Sequence, residues 1–466
     1  MNEQQNILNK VGNLFLKIWS RLTFKFKNGS IHTKISHFVM GYGNFARKQI
    51  AKGLIFLGVQ VVFLAMMFVS PMIPEAKATP LGFQALLNLR HLGTNPGSPF
   101  IQGDNSLLML LYGVFTIIII ITFIVIYTVS INSSYKLDKL VEDKKSIPSF
   151  KEDLFELTES KFHFTLLTPA TIGILVLTII PNIFMILVAF TNFDNNHLPP
   201  GQLFTWVGFV NFSGLFNSNN ALSGFWGVLA WTLTWAVIAT FSNYILGILL
   251  ATLINSKLVK AKKLWRTIFV LTIAIPQFVS LLLVRYLFAE LGPINTFLVD
   301  MGWLEAPMNF LGNANNAFTP RVMVLIINLW VGIPFTMLMT SGILMNVPSD
   351  LYEAAQIDGA TKPQIFRKIT FPYIVFITTP YLISSFMGNI TSFNIIFLLT
   401  GGGPGQSGPN PGQTDLLVTW LFRLTVEEYN YSLGAVVSIL TFILMAIGTL
   451  ITYRRSKAYK DEGAFQ

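Results

Sequence analysis

Two mostly apolar stretches of the chain contain amide, hydroxyl and glycine residues at helical spacing. In the stretch 373–400, positions i, i+4 and i+7 of one helix face are Ser385, Asn389 and Ser392. In the stretch 321–345, one face carries Asn328, Val331, Gly332 and Phe335. Amides and hydroxyls hydrogen-bond solute hydroxyls, and apolar rings pack on C–H groups, so the two stripes suit a sugar. The alternative is that they join helices through small contacts and interhelical hydrogen bonds.

Groups that perform covalent chemistry are poorly represented. The chain has no cysteine, which excludes disulfides, thiolate metal sites and cysteine nucleophiles. The few Asp and Glu residues are scattered, whereas a membrane glycosyltransferase needs a carboxylate cluster, and an ion-coupled carrier needs charged residues deep inside its spans. The glycine-rich segment 401–413 lacks the lysine of a phosphate-binding loop. We therefore expect no catalytic residue, metal or cofactor, and an energy source on another chain.

The composition indicates which elements position these residues. Hydrophobic residues make up 52% of the chain and charged residues 12%, with a mean hydropathy of +0.58. Soluble domains average about 25% charged residues, so lipid must form part of the solvent of this chain. A bilayer core of about 30 Å requires roughly 20 apolar residues of helix. Eight stretches qualify: Ile50–Ser70, Ser106–Ile131, Phe164–Phe190, Phe225–Ile254, Trp265–Ala289, Arg321–Met345, Tyr373–Thr400 and Ser432–Tyr453.

The positive charges predict the orientation of these spans. Of the 32 Lys and Arg residues, 27 fall in the leader 1–49, in alternate loops and in the tail after the last span. The remaining loops and their edges hold five. This alternation is what the positive-inside rule predicts for an even number of spans with both termini in the cytoplasm. The net charge of +10 therefore indicates a membrane rather than a nucleic-acid partner.

The predicted cytoplasmic loop 346–372 has the pattern of two short amphipathic helices. Ser349 and Asp350 can cap the first helix, and Gly359 permits a reversal of the backbone. Apolar Ile357, Ile365, Phe366 and Ile369 supply a face that needs a partner to cover it.

This loop resembles the EAA loop of ABC-importer permeases, which is the coupling helix of that family and sits in a cleft of a separate ATPase subunit. The matching residues are Glu353, Ala354, Ala355, Asp358, Gly359 and Ala360, followed after five residues by Phe366, Ile369, Phe371 and Pro372. The resemblance implies that Glu353 and Asp358 make polar contacts with the ATPase and that Gly359 shapes the turn. It also implies the type I importer fold and alternating access driven by ATP hydrolysis on the partner.

Other segments are similar to the carbohydrate-uptake branch of the family, in particular to maltose/maltodextrin permeases. They are Phe190–Phe193, Trp206–Phe212, Leu399–Pro404 and Thr414–Val418. In that branch the substrate lies on the sixth and seventh spans, at positions matching Asn328, Gly332, Ser385 and Asn389. Three positions depart from the pattern: Phe335 replaces a tyrosine, Gly388 replaces an aromatic residue and Ser392 replaces an amide. The external loop from Thr191 to Gly224 is short, as in the forms from single-membrane, Gram-positive bacteria.

The expected protein is thus an all-α, polytopic permease of about eight transmembrane helices in the plasma membrane. We divide it into a basic leader (1–49), two additional spans with a linker (50–163), a six-helix core (164–453) and a tail (454–466). The resemblance implies a second homologous permease, two ATPase copies, an extracellular binding protein and an oligosaccharide. An ion-coupled sugar carrier and an importer of galactose-based oligosaccharides or another solute stay open. The leader segment 7–26 is either an amphipathic surface helix or a disordered tail.

Overall fold

The computed structural model describes residues 16–17, 19–69, 81–96, 103–214, 224–256, 258–312, 316–405 and 408–455, without the side chains of 69, 452, 453 and 455. The tail 454–466 therefore lies almost wholly outside the described residues. Contacts within the chain divide it into two compact units, Met1–Trp206 and Val207–Gln466. The four-part division expected from the sequence stays a prediction.

The first unit is helical apart from its connecting loops. Residues 19–28 form a helical segment. The helices after it are α1 (Ile31–Ser36), α2 (Tyr42–Phe45), α3 (Ile50–Leu64), α4 (Phe83–Arg90), α5 (Ser106–Glu142), α6 (Phe150–Thr158), α7 (Phe162–Ile174) and α8 (Ile180–Val188). Five-residue π-helical turns extend α3 over Ala65–Val69 and join α7 to α8 over Leu175–Ile179.

The second unit contains the remaining helices. They are α9 (Val210–Ser213), α10 (Phe225–Asn255), α11 (Lys262–Ala274), α12 (Gln277–Leu287), α13 (Pro293–Asp300), α14 (Phe318–Met345), α15 (Ser349–Ile357), α16 (Lys362–Ile365), α17 (Phe371–Ile390), α18 (Asn394–Thr400), α19 (Leu417–Phe422) and α20 (Tyr431–Arg455). A π-helical turn over Phe366–Thr370 joins α16 to α17. Within the described ranges no strand occurs, and the one isolated β-bridge pairs Thr191 with Trp206.

The membrane spans agree with the sequence expectation, except that the fifth and the seventh stretches are each broken. Seven described helices are long and apolar enough to cross a bilayer, or eight if the pair α11 and α12 is one span. The fifth stretch was expected as one helix, Trp265–Ala289, but α11 and α12 meet at an angle of 92°. Pro276 lies at the break with Ile275, which is extended, because proline disfavours the helical conformation in the residue before it. The predicted all-α membrane fold is confirmed.

The leader is folded wherever the structure describes it. Residues 30–47 pack on a polar stripe of α5 formed by Ser130, Ser133, Ser134 and Asp138, at the end of that helix predicted to be cytoplasmic. Thr33 Oγ1 lies 2.7 Å from Ser134 Oγ, and Ser30 Oγ donates to Asp138 Oδ1 at 2.7 Å. These contacts hold residues 30–47 of the leader in one ordered arrangement on α5. Of the segment 7–26, residues 7–15 and 18 lie outside the described part of the chain, and residues 19–26 are helical.

The interior of the second unit is packed around α10 and α14. Trp231, Trp235 and Ala239 of α10 form one buried apolar cluster with Val324 and Ile327 of α14. Gly247 of α10 lets the two helices approach closely, because an added Cβ would lie 2.5 Å from Thr336 Cβ. This pair is the frame on which α17 and its polar residues rest.

Candidate functional site

The polar residues predicted on α14 differ widely in exposure. Asn328 is buried, with 3% of its surface exposed, and its Nδ2 atom has no hydrogen-bond partner among the described residues. Gly332 is covered by Asn243 of α10, whose Nδ2 atom would lie 2.4 Å from an added Cβ. The Oδ1 atom of Asn243 is likewise buried without a described partner. Buried amide atoms are normally hydrogen-bonded. The Asn328 nitrogen and the Asn243 oxygen could therefore donate to and accept from a polar ligand.

The aromatic residue of this stripe is accessible. Phe335 exposes 51% of its surface, and its ring centroid lies 5.7 Å from that of Tyr381 on α17. Tyr381 also reaches α14 through its hydroxyl, which is 3.4 Å from Thr336 Oγ1. Val331, one turn before Phe335, is half-buried. The sixth and seventh spans therefore meet here, beside an accessible aromatic surface that could pack on a sugar ring.

The residues predicted on α17 form a partly open surface. Ser385 and Asn389 are half-buried, and Gly388 is exposed with no atom within 4 Å of the place a Cβ would take. Asn389 Nδ2 donates to Thr240 Oγ1 of α10 at 2.8 Å. This bond fixes the amide group and also supports the helix-packing alternative for Asn389.

One residue of the predicted α17 stripe does not share its helix face. The helix ends at Ile390, and α18 begins at Asn394, so Ser392 lies in the non-helical connection between them. The prediction of one continuous helix over Tyr373–Thr400 is wrong at this point. Ser392 N–H donates to Asn389 O at 3.3 Å, which keeps Ser392 next to the stripe without extending it.

Sequence reasoning missed the contribution of α10. Thr240, Asn243, Tyr244 and Gly247 stand at i, i+3, i+4 and i+7, so they share one helix face. Tyr244 Oη lies 2.6 Å from Thr378 Oγ1 of α17, which gives α10 a second polar contact with that helix. The spacing alone could have identified this face, because polar and small residues inside an apolar span are costly without protein partners.

The glycine-rich segment after α18 is held by a carboxylate. Asp415 accepts hydrogen bonds from Gly412 N–H at 2.8 Å and Thr419 Oγ1 at 2.9 Å, and it lies 3.3 Å from Arg423 Nη2. Burial raises the pKa of this carboxyl, whereas the Gly412 amide and the Arg423 charge act in the opposite direction. An added Cβ at Gly402 would lie 1.9 Å from Asp415 Oδ1. The carboxylate occupies the space next to Gly402 that a phosphate would need.

The predicted coupling loop forms one short helix and a turn. Helix α15 ends at Ile357, and Gly359 has a φ of +75°, a left-handed conformation in which glycine is favoured. The cap expected from Ser349 and Asp350 is wrong, because Pro348 precedes α15 and no side chain caps it. The expected second short helix is also wrong, since α16 continues through the π-helical turn into α17. Its start is capped by Gln364 Oε1, which accepts from Thr361 N–H at 2.8 Å.

The motif residues of this loop fall into two groups by exposure. Glu353, Ala354, Asp358 and Gly359 are exposed, whereas Ala355, Ala360 and Phe366 are half-buried. Phe366 packs against the buried cluster that includes Tyr244, as its predicted burial requires. Ile357 instead exposes 87% of its surface. Neither Glu353 nor Asp358 forms an ion pair within the described residues, so an apolar side chain and two carboxylates face outward together.

Comparisons with known proteins agree with this arrangement. Residues 243–457 match the family described as binding-protein-dependent transport system inner membrane component. The maltodextrin transport system permease protein MalC of Streptococcus pneumoniae is 34% identical over 432 residues, covering 91% of this chain and 95% of that protein. The galactooligosaccharides transport system permease protein GanP of Bacillus subtilis is 32% identical over 425 residues, covering 91% and 97%. A crystal structure of a bacterial ABC transporter for import of the acidic polysaccharide alginate covers 65% of this chain and 98% of its own, with a TM-score of 0.53 and 24% identity.

Proposed function

The chain belongs to the family of binding-protein-dependent transport system inner membrane components, and on this premise we propose that it conducts maltodextrin as one permease subunit of an ATP-driven importer. It is a multi-pass membrane transport subunit rather than an enzyme. ATP hydrolysis belongs to two copies of a cytoplasmic ATPase, and a second, homologous permease completes the pathway. An extracellular binding protein delivers the sugar, and both termini lie in the cytoplasm of a single-membrane bacterium.

One observation carries the mechanical part of this proposal. The helix that starts at Lys362, next to the exposed turn at Gly359, continues without interruption to Ile390 and includes Ser385 and Asn389. At a rise of 1.5 Å per residue, Lys362 and Asn389 are about 40 Å apart along one element. A displacement of the turn by an ATPase is therefore transmitted to the polar residues by a continuous helix.

The substrate path in this proposal is formed by α14 and α17. Ser385, Gly388, Asn389 and Phe335 provide the accessible surface, with Ser392 at its end. Val331 and Gly332 are half-buried, as Ser385 and Asn389 are, and Asn328 lies deeper. The amide nitrogen of Asn328, which has no described partner, becomes available when α14 and α10 separate during alternating access.

The choice of sugar follows from the relatives. Maltodextrin is favoured because the MalC relative covers 91% of this chain at 34% identity. A galactose-based oligosaccharide is the second candidate, since the GanP relative is 32% identical over the same share of the chain. At the position of Gly388 the resemblance implies an aromatic residue that would stack on maltose. Without it, Phe335 is the exposed ring of the stripe.

Transport by the reconstituted complex tests the site. Labelled maltose, maltotriose and a galactose-based oligosaccharide are compared in wild type, Asn389→Ala and Thr240→Val. If Asn389 binds the sugar, Asn389→Ala lowers uptake at least tenfold while Thr240→Val, which removes only the interhelical partner, stays within about twofold of wild type. Equal losses in both variants would assign Asn389 to helix packing, where such bonds contribute about 0.6 kcal/mol. Absence of uptake and of ATPase stimulation with every sugar would refute the substrate class.

A second pair of variants tests the coupling role. Gly359→Pro cannot adopt the φ of +75° and loses the N–H that donates to Gln356 O at 3.0 Å. The matched control is Gly302→Pro, with a φ of +72° and an N–H that donates to Val299 O at 2.9 Å, in a loop predicted to be external. We expect uptake to disappear in Gly359→Pro and persist in Gly302→Pro, with normal membrane insertion of both. Uptake by the chain alone, without any ATPase, would refute the whole scheme in favour of a secondary carrier.

A further inference from the structure

Three basic side chains gather at the end of α5 predicted to be cytoplasmic. Arg21 and Lys25 stand one turn apart on the helical segment 19–28, and Lys139 comes from α5. Lys25 Nζ lies 5.9 Å and Lys139 Nζ 5.3 Å from the centre of the Tyr135 ring. No ion pair to any of the three is present in the described part of the chain. Asp138, the acidic residue next to Lys139, is already bound by Arg47 and Ser30.

This concentration of like charge is unfavourable without an anion. Like charges at i and i+4 on a helix destabilise it, and Arg21 and Lys25 are such a pair. Burial and the positive charges of Arg21 and Lys139 lower the pKa of the Lys25 ammonium. The Lys25 ammonium also donates to Asn132 Oδ1, a neutral acceptor that leaves its charge uncompensated.

Arg21 and Lys25 of this cluster line a cavity. A space of about 580 Å³ is lined by Arg21 and Lys25 on one side and by Thr128 and Asn132 of α5 on the other. Phe24 also lines it, and its ring meets the Tyr135 ring edge to face at 6.4 Å. A cavity with cationic donors and an aromatic wall suits a phosphate group attached to an apolar body.

The surface that continues from this cavity is apolar. Ile117, Ile121 and Ile124 expose 39%, 56% and 44% of their surface, and they precede Thr128 at helical spacing along one face of α5. From Thr128 to Ile117 the helix rises about 16 Å, close to half of a bilayer core of about 30 Å. Trp19, 60% exposed on the leader, is a residue type enriched at the membrane interface.

We propose that this place binds one anionic phospholipid of the cytoplasmic leaflet, with its phosphate between Arg21, Lys25 and Lys139 and an acyl chain along Ile117–Thr128 of α5. The lipid neutralises the cluster and ties the folded leader to the membrane surface. Phosphatidylglycerol fits the charge requirement, whereas phosphatidylcholine has no net charge to contribute.

Lipid retention by the purified full-length chain tests this site. The chain is extracted from vesicles of phosphatidylglycerol and phosphatidylcholine, and bound lipid is counted by native mass spectrometry. The test variant is R21Q/K25Q/K139Q, and the control K27Q/K34Q/K136Q removes the same charge from exposed positions. We expect wild type and control to keep one phosphatidylglycerol and the test variant to bind it on the order of a hundredfold more weakly, since each cation contributes about fivefold near a membrane.

Measurements on wild type make the result independent of variant folding. Phosphatidylglycerol should be preferred over phosphatidylcholine, and the preference should fall as salt is raised. Equal retention of the two lipids, or equal loss in test and control variants, would overturn the proposal. Displacement by millimolar inorganic phosphate would also overturn it, because the site would then recognise free phosphate rather than a lipid.

Discussion

The attachment of the leader to α5 depends on one buried carboxylate. Asp138 is 4% exposed and accepts from Ser30 N–H at 2.9 Å, from Ser30 Oγ at 2.7 Å and from the Arg47 guanidinium. Asp138→Asn removes the negative charge and brings an amide NH₂ group, which is a donor, next to the Ser30 and Arg47 groups that are donors too. Breaking a buried ion pair by changing one partner costs about 3–5 kcal/mol. Detachment of the leader should therefore become between about one hundred and a few thousand times more frequent.

Limited trypsin digestion of the purified chain in detergent measures this change. Lys34 lies exposed inside α1, so its peptide bond is cleaved only when that helix opens, and the cleavage rate follows the open population while reclosing is fast. The control is Asp143→Asn, whose partner Lys145 lies at 2.9 Å in an exposed pair worth at most about 1 kcal/mol. Arg47→Gln combined with Asp138→Asn should restore part of the protection. If Asp138→Asn is cleaved after Lys34 within fivefold of Asp143→Asn, the carboxylate does not hold the leader.

Two further outcomes follow from exposure and close packing. Ile357→Glu should abolish sugar-stimulated ATP hydrolysis by the complex. Leu258→Glu, at an equally exposed leucine in another loop predicted to be cytoplasmic, should leave this hydrolysis intact. Loss of hydrolysis in both variants would indicate a general effect of surface charge. Gly247→Ala should lower the melting temperature, because its Cβ meets Thr336 and overpacking costs about 1–3 kcal/mol. Gly227→Ala on the same helix has open space and should raise it slightly, since alanine favours helix by about 1 kcal/mol over glycine. Equal shifts would refute the packing argument.

Much of the fold could be predicted because hydropathy and charge are strong signals in membranes. The apolar stretch Ser106–Ile131 was recognised by length alone, and the structure extends the helix to Glu142. The extension was not predictable from hydropathy, since Ser133, Ser134 and Asp138 are polar and follow the apolar stretch expected to cross the bilayer. The leader buries Ser134 and Asp138 and half-buries Ser133, and their helical spacing is the sequence feature from which a covering segment could have been inferred.

The candidate site was less predictable because side-chain exposure depends on packing between distant segments. Asn328 and Phe335 belong to one predicted stripe, yet the first is buried and the second is half exposed. Periodicity assigns residues to a helix face but does not tell which neighbour covers that face. The role of α10 in holding Asn389 through Thr240 required the tertiary structure. The motif residues around Gly359 were found from sequence because their pattern is local.

The two breaks in the spans support a common physical interpretation. One break separates α11 from α12 at Ile275–Pro276, and the other separates α17 from α18 at residues 391–393. Backbone groups freed inside a membrane must be satisfied by protein or by water in a cavity, so unwound segments at membrane depth are tolerated only there. The helices that follow the breaks are also linked, since Arg285 of α12 donates to Leu398 O of α18 at 3.4 Å, and Leu281 of α12 shares a buried cluster with Ile396 of α18. In the proposed path, the polar residues of α17 therefore end at an unwound segment, which would offer backbone groups as well as side chains to a hydroxylated solute.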